Sequence, residues 1–401
     1  MWGVLMTMSK PVFDRLGLGL WIGAFLIVLV LVLWSPHTRT VWQAYIDGSE
    51  ALLARRPLYN TQSEMGYLYA PAFAALYVPF VKLGPHLGGL VWHSVGFAVL
   101  TFAAMRQVRK LGGGELPWLL SFGLFLALPM ALAAIRNGQA TILLAGACWL
   151  LTLSALEGRR AETFFWASVA IIAKPTAIIM LLLVGALRFR LIPVLVLAVL
   201  FVLALPYAFA PAGYLNDQYL AFAGMLTSMA VDPTSHFVPT DFTAPFTKMG
   251  LPIPEFGATI VRIVMALFTL SAVIWFDRRL ERGRAGLAIF LTATFYMCVF
   301  NPRVEPNTYA MIAVPAGLAV ALLWREERGG VLASVLSVLL FLTGLTGVDR
   351  HVHNFLYPWF RPIAVTVVAA SLIWWFWAKA GDKRARDARD KVMNERPVAN
   401  G

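Results

Sequence analysis

Charge and sulfur are scarce in this chain. Only 13% of its 401 residues are Asp, Glu, Lys or Arg, about half the share of an average soluble domain. A soluble fold covered by solvated side chains is therefore excluded. Cysteine occurs twice, as Cys148 and Cys298, each inside an apolar run. That leaves neither a disulfide framework nor a Cys-x-x-Cys metal site. Histidine occurs six times without zinc spacing, no Gly-x-Ser-x-Gly is present, and no Asp-x-Asp stands in the first polar loop. Gly112-Gly-Gly114 has no preceding strand and no phosphate-loop continuation, so it reads as a turn.

What the chain has instead is hydrocarbon: 59% of it is hydrophobic, in recurrent runs of about 17–22 residues, each long enough to cross a bilayer core as a helix. Ten such runs are expected to span, near 17–34, 86–105, 117–135, 140–157, 191–210, 257–276, 286–301, 307–324, 330–347 and 361–378. The first ends in Trp34-Ser35-Pro36 without a small-residue cleavage site and reads as a retained helix.

Acidic residues are outnumbered, 21 against 33, and the net charge of +12 raises the question of a nucleic-acid surface. The position of the cations argues against one. With the N-terminus in the cytoplasm, 22 Lys and Arg fall in cytoplasmic segments and nine on the other side, with Lys174 and Arg262 inside apolar runs. This is the asymmetry of the positive-inside rule, and no nucleic-acid partner is expected. Residues 1–378 form one polytopic membrane domain, and 379–401 a basic cytoplasmic tail expected to be disordered near the anionic leaflet.

The stretch from Glu162 to Arg190 carries cytoplasm-type arginines at both ends. It is expected to be a broken hairpin turning at Lys174-Pro175, since proline removes a helical hydrogen bond and disfavours helix in the residue before it. The alternative is one tilted, kinked helix. Two long polar segments are expected on the non-cytoplasmic side. In 35–85, Val41 to Ala54 suits an interfacial helix, and Ala70 to Leu83 is too short to span comfortably. The segment 211–256, rich in Pro, Asp, Thr and aromatics, reads as an ordered loop.

Ionisable groups gathered at one mouth of a membrane bundle are the first place to look for function. The expected outer mouth holds Asp47, Glu50, Arg136, Asn137, Gln139, Asp217, Asp241, Arg303, Glu305, Asp349, Arg350, His351 and His353. A carboxylate with several cations there suits group transfer from a lipid phosphate: the carboxylate takes a proton from an attacking hydroxyl and the cations stabilise the departing phosphate. Ordinary solvated loop charges are the plain alternative for each of them.

Several segments resemble a known family. Tyr45-Ile-Asp-Gly-Ser-Glu-Ala-Leu-Leu-Ala, Pro57-Leu-Tyr59, Tyr67-Leu-Tyr-Ala-Pro-Ala-Phe73, Asn137-Gly-Gln139, Ala173-Lys-Pro175, Asn301-Pro-Arg-Val-Glu305 and Trp359-Phe-Arg-Pro362 occur in the order seen in glycosyltransferase family 87, of the GT-C class. The resemblance implies an all-α GT-C-like bundle and inverting transfer of a hexose, typically mannose, from a polyprenyl-phosphate sugar to a lipid-linked or periplasmic glycan. That sugar lipid is a donor substrate, and neither cofactor nor metal is expected. Its partners would be membrane lipids, the donor and the glycan or glycolipid acceptor, at an inner (plasma) membrane with the site facing the periplasm or exterior. The family's usual catalytic Asp would fall near Val41, so the base passes to Asp47 or Glu305. Arg136, Lys174, Arg303, His351 and His353 are candidates for the donor phosphate, and Glu50, Tyr69, Asn137 and Gln139 for substrate contact. Tyr67, Tyr69 and Trp359 are read either as interfacial anchors or as sugar-stacking rings. Rival readings are a secondary transporter or flippase with Lys174 and Arg262 lining its path, and a catalytically dead scaffold.

Overall fold

A computed structural model describes residues 10–38, 40–59, 66–112, 116–231, 239–302, 304–327, 330–347 and 349–394. Among them all regular structure is helical. The helices are α1 (Lys10–Trp34), α2 (Trp42–Leu53), α3 (Pro71–Lys82), α4 (Gly84–Leu111), α5 (Leu116–Arg136), α6 (Ala140–Leu156), α7 (Arg160–Ala173), α8 (Ile178–Leu187), α9 (Ile192–Ala204) and α10 (Ala212–Val231). They are followed by α11 (Ala244–Lys248), α12 (Glu255–Arg279), α13 (Arg282–Val299), α14 (Ala310–Glu326), α15 (Val331–Leu342), α16 (Arg350–Leu356) and α17 (Phe360–Asn394). The last continues well past residue 379, where the sequence suggests a disordered tail.

Every run expected to span is helical. Seven described helices are long and apolar enough to cross a membrane, or eight if α15 and the bent α16 are joined. Two further apolar helices, α6 and α13, lie outside that length and composition. α6, of 17 residues, is buried from Ala140 to Ala155, and most of α13 is buried too. A helix surrounded by other helices is relieved of matching the hydrocarbon thickness itself. The peripheral spans Arg15–Trp34, Phe189–Ala208 and Glu255–Arg279 bury only 28%, 28% and 22% of their apolar windows, against 83% for Pro306–Glu326. Their remaining apolar faces suit lipid.

Hydrophobic attraction between helices is weak in lipid, so close packing and hydrogen bonds hold such a bundle together. One close crossing is between α5 and α14, where a Cβ on Gly317 would lie 2.2 Å from the Gly123 carbonyl oxygen. Gly17 of α1 likewise admits the Ser121 backbone of α5. At the centre Trp149 of α6 stacks on Phe290 of α13 at 4.9 Å, and its indole N–H donates to Gln107 Oε1. Gln107 Nε2 in turn donates to the Gly283 carbonyl, so this buried polar group is satisfied on both sides.

One face of the bundle is laced by ion pairs. Arg106 at the end of α4 bridges Glu157 and Glu162, and Lys110 and Arg159 also reach Glu157. Arg188, after α8, grips Asp277 near the end of α12 with two hydrogen bonds of 2.7 Å. Arg284 and Lys379 meet Glu326. The two ends of the 160–187 segment are therefore both at this basic face, because α12, α13 and α4 meet there. The segment is a hairpin, as the paired arginines and the proline suggest. It breaks at Lys174, which is extended at φ −157°, ψ 134°, before the short helical turn Pro175–Ala177. α7 has 14 residues, so Lys174 stands roughly 21 Å along it from the basic face.

The opposite face is built from α2, α3, α10, α11 and α16. The expected interfacial helix exists as α2, with Tyr45, Ser49, Ala51 and Leu52 buried and Gln43, Asp47 and Glu50 exposed. Reading 211–256 as loop is overturned by α10, a 20-residue helix. Its polar composition masks the contacts that hold it: Leu215 is fully buried, Gln218 accepts from the Leu58 N–H at 2.8 Å, and the Tyr214 hydroxyl donates to the Arg56 carbonyl.

Orientation yields a direct expectation. A reporter fused after Lys379 should register as cytoplasmic, and one inserted at the exposed Gly250 turn as external, since the basic face collects the Lys and Arg. Finding both reporters on one side would refute this topology.

Candidate functional site

The mouth opposite the basic face is organised around Tyr45. Its ring meets those of Tyr69, Phe73, Tyr77 and Trp92 edge-on, with centroids 4.8–5.8 Å apart. The Tyr45 hydroxyl accepts from the Ala140 N–H at 3.1 Å and pairs with the Tyr69 hydroxyl at 3.0 Å. Tyr59 donates to the Tyr69 carbonyl. This cluster joins α2, the approach to α3 and the start of α6. The turn at Asn137-Gly-Gln139 is fitted to it by backbone: the Asn137 carbonyl accepts from the Val41 N–H and the Thr40 hydroxyl, and the Gly138 carbonyl from Trp92. Gly138 has φ +63°, and a side chain there would strike the His93 ring at 2.8 Å.

Glu305 reaches this mouth from the segment between α13 and α14. The half-buried carboxylate accepts from the Thr308 backbone N–H, and the Thr308 hydroxyl accepts from the Glu305 N–H, a reciprocal cap on the turn Pro306–Tyr309. The segment is clamped from two sides. The Val304 carbonyl accepts from the N–H and hydroxyl of Thr240, and the Tyr309 hydroxyl donates to the Thr240 carbonyl. Arg361, only 7% exposed, donates to the Pro306 carbonyl at 2.8 Å and to the Thr343 carbonyl at 3.2 Å.

The carboxylate makes itself felt electrostatically. Burial first, and the charge of Glu305 in addition, push the Tyr45 and Tyr69 hydroxyls above the ordinary tyrosine range, although Tyr45 gains partial relief from its bonds to Tyr69 and Ala140. Tyr357 is raised the same way, again by burial first and Glu305 second. These phenols are therefore neutral. His353 stacks on Tyr357 at 5.1 Å and hydrogen-bonds through Nδ1 to the Thr346 carbonyl, which brings an imidazole to the same mouth.

Other candidates are placed differently. Asp47 is exposed and accepts from Gln43 one turn earlier; two residues beyond Tyr45, it lies about 200° around α2. Glu50 shares that outer face. His351 is exposed, and its N–H is used by Asp349 to cap α16. Arg136 is half-buried at the end of α5, and Gln139 is buried at the head of α6. Lys174 makes no side-chain bond or ion pair among the described residues. Arg303 lies outside the described residues. Tyr67 is buried, with its ring packed over Gly48, so it serves packing rather than solvent. Asp241 is fully buried, bonded to Thr243 and to Arg262 at 3.0 Å, while Arg262 also meets Glu255. Arg262 is thus engaged in holding the 239–243 segment. No cluster of three His, Cys, Asp or Glu able to hold a metal occurs among the described residues.

Two contributors escape a reading of sequence alone, Tyr45 and Arg361. The signal for Arg361 was a lone arginine at the head of an apolar run beside Pro362; Tyr45 stood in a helix whose buried face only packing reveals. No curated protein and no solved structure matches this chain. The profile of glycosyltransferase family 87 matches residues 67–302, which runs from the Tyr67-Leu-Tyr69 approach through the Asn137 turn and the hairpin to Asn301-Pro302. Both carboxylate candidates, Asp47 and Glu305, stand outside the matched segment, one on each side of it. Since the match covers more than half of the chain and joins the aromatic mouth to the helices that frame it, this membrane protein belongs to glycosyltransferase family 87.

Proposed function

We propose that the chain transfers a hexose, mannose being the expected sugar, from a polyprenyl-phosphate donor to a hydroxyl of a lipid-linked or periplasmic glycan, with inversion. The observation that carries this reading is Glu305, a half-buried carboxylate held by its cap, whose charge is felt by the Tyr45 and Tyr69 hydroxyls. One of its oxygens is engaged by the Thr308 N–H, which orients the group, and the other can accept a proton. In the reaction Glu305 removes the proton of the acceptor hydroxyl as that oxygen bonds to the anomeric carbon. The carbon–oxygen bond to the phosphate breaks on the opposite face, and polyprenyl phosphate departs with the bonding pair.

The departing phosphate gains negative charge, and cations held near it favour the transition state over the bound donor. Arg136 and Lys174 are assigned to it, with His353 at the mouth. Lys174 suits the part because the hairpin lifts an otherwise unpaired ammonium roughly two-thirds of the way across a core of about 30 Å. Tyr69, Asn137 and Gln139 would meet the sugar or acceptor; His351 and Glu50, being exposed, fit only its outer portions. Asp47 is the second choice as base. The site would face the periplasm or exterior of an inner membrane.

The decisive assay uses the purified full chain with radiolabelled polyprenyl-phosphate hexose. Transfer to acceptor should proceed in EDTA and without a nucleotide sugar. Strict dependence on a nucleotide sugar, or loss of transfer in EDTA, would sink the proposal.

A further inference from the structure

The basic face carries a feature with no part in sugar transfer. Between the end of α4 and the start of α7 lies an open groove of about 740 Å³, lined by Arg106, Arg109, Lys110, Glu157, Arg159 and Glu162 at the rim and by Phe102, Phe165 and Trp166 below. The rim is a built frame. Two carboxylates hold three cations: Arg106 bonds Glu157 at 2.8 Å and Glu162 at 2.6 Å, Lys110 meets Glu157, and Arg159 bonds both acids. The fourth cation, Arg109, is exposed and has no partner among the described residues. Four positive charges against two negative leave the rim at +2.

The floor differs in chemistry. Phe102 precedes Arg106 by one helical turn on α4 and is 45% exposed, while Phe165 follows Glu162 by one turn on α7 and is 54% exposed. One turn of helix is about 5 Å, so aromatic surface lies just inward of the charged rim. An anion with an attached hydrocarbon fits this order; a free anion uses only the rim. Basic clefts between helices at a membrane surface are suited to anionic headgroups for the same reason.

We propose that this groove binds the phosphate headgroup of an anionic phospholipid from the leaflet that meets the basic face, with an acyl chain lying against Phe102 and Phe165. Arg109 supplies the unengaged cation, and Arg106 and Arg159, fixed by Glu157 and Glu162, supply oriented donors.

Native mass spectrometry of the purified full chain with an equimolar mixture of phosphatidylglycerol and phosphatidylcholine tests the proposal. The wild type should retain phosphatidylglycerol over phosphatidylcholine. Arg109→Gln breaks no ion pair in the frame and should cut that preference by about fivefold, the worth of one cation at such a surface. Arg278→Gln, on the same face but outside the groove, should leave the preference unchanged. Equal retention of the two lipids by the wild type would overturn the proposal, as would equal losses in Arg109→Gln and Arg278→Gln, which would reveal general surface attraction. Displacement of phosphatidylglycerol by millimolar inorganic phosphate would reassign the groove to free phosphate. Sugar transfer is not the readout, so failure here is separate from failure of the proposed chemistry.

Discussion

Glu305→Gln is expected to lower turnover by a factor on the order of 10²–10⁴, the loss typical of a general base, while leaving expression and donor binding intact. Gln keeps the shape and can still accept from the Thr308 N–H, so the cap on Pro306–Tyr309 persists. What it loses is the capacity to take a proton. The charge that disfavours ionisation of Tyr45 and Tyr69 disappears as well, which leaves those phenols neutral at physiological pH in either case. The companion measurement is Asp47→Asn, expected to be mild because Asp47 is exposed and bonded to Gln43 on the outward side of α2. The comparison requires kcat and KM separately, with polyprenyl-phosphate hexose as donor. Near-normal kcat in Glu305→Gln with a large loss in Asp47→Asn would move the base to Asp47; near-normal kcat in both would remove the carboxylate mechanism as placed here.

Gly317→Val is expected to abolish or sharply reduce the yield of folded protein. A Cβ there would stand 2.2 Å from the Gly123 carbonyl oxygen, an overlap with backbone that no rotamer change relieves. Overpacking a core costs about 1–3 kcal/mol even where side chains can yield, and here two helices must separate. The consequence extends to the site. α14 begins immediately after the Pro306–Tyr309 turn capped by Glu305, and α5 ends at Arg136, so their crossing sets where these groups stand relative to each other. Gly19→Val is the control, since nothing lies within 4 Å of a Cβ at Gly19. Thermal unfolding and monodispersity of the purified proteins decide the matter: equal stability of Gly317→Val and wild type would show that the close approach of α5 and α14 is not required.

Much of the architecture could be read before any coordinates. The hairpin was legible because two independent signals agreed: arginines at both ends of 162–190, and a proline that breaks helix at Lys174. The α2 helix was legible from apolar and aromatic residues mixed with acids. α10 was missed because its Pro, Asp and aromatic neighbours suggest a loop, while the residues that hold it, Tyr214 and Gln218, bond with partners more than 150 positions away in the chain. The site was legible as a set of residue types at one mouth. Its internal order was not. Only packing shows that Tyr45 occupies the buried face of α2 and Asp47 the exposed one. Asp241 and Arg262 looked like separate charges and prove to be a pair.

The sequence by itself determined that this chain lies in a membrane, how its helices are ordered, which face is basic, and that it shares the landmarks of a glycosyltransferase family. Those properties follow from local quantities, the hydropathy of a run and the position of its flanking cations, which act residue by residue on transfer between water and lipid. Only the tertiary structure decided which ionisable groups are engaged with one another and which remain available. Arg262 is neutralised by Asp241 and Glu255, Arg361 is committed to the Pro306 and Thr343 carbonyls, Glu305 is bonded with Thr308, and Arg109 is left over at the basic rim. The physical reason is distance: whether a charge is a partner or a reagent depends on what stands within hydrogen-bond reach, and helices far apart in the chain supply those neighbours.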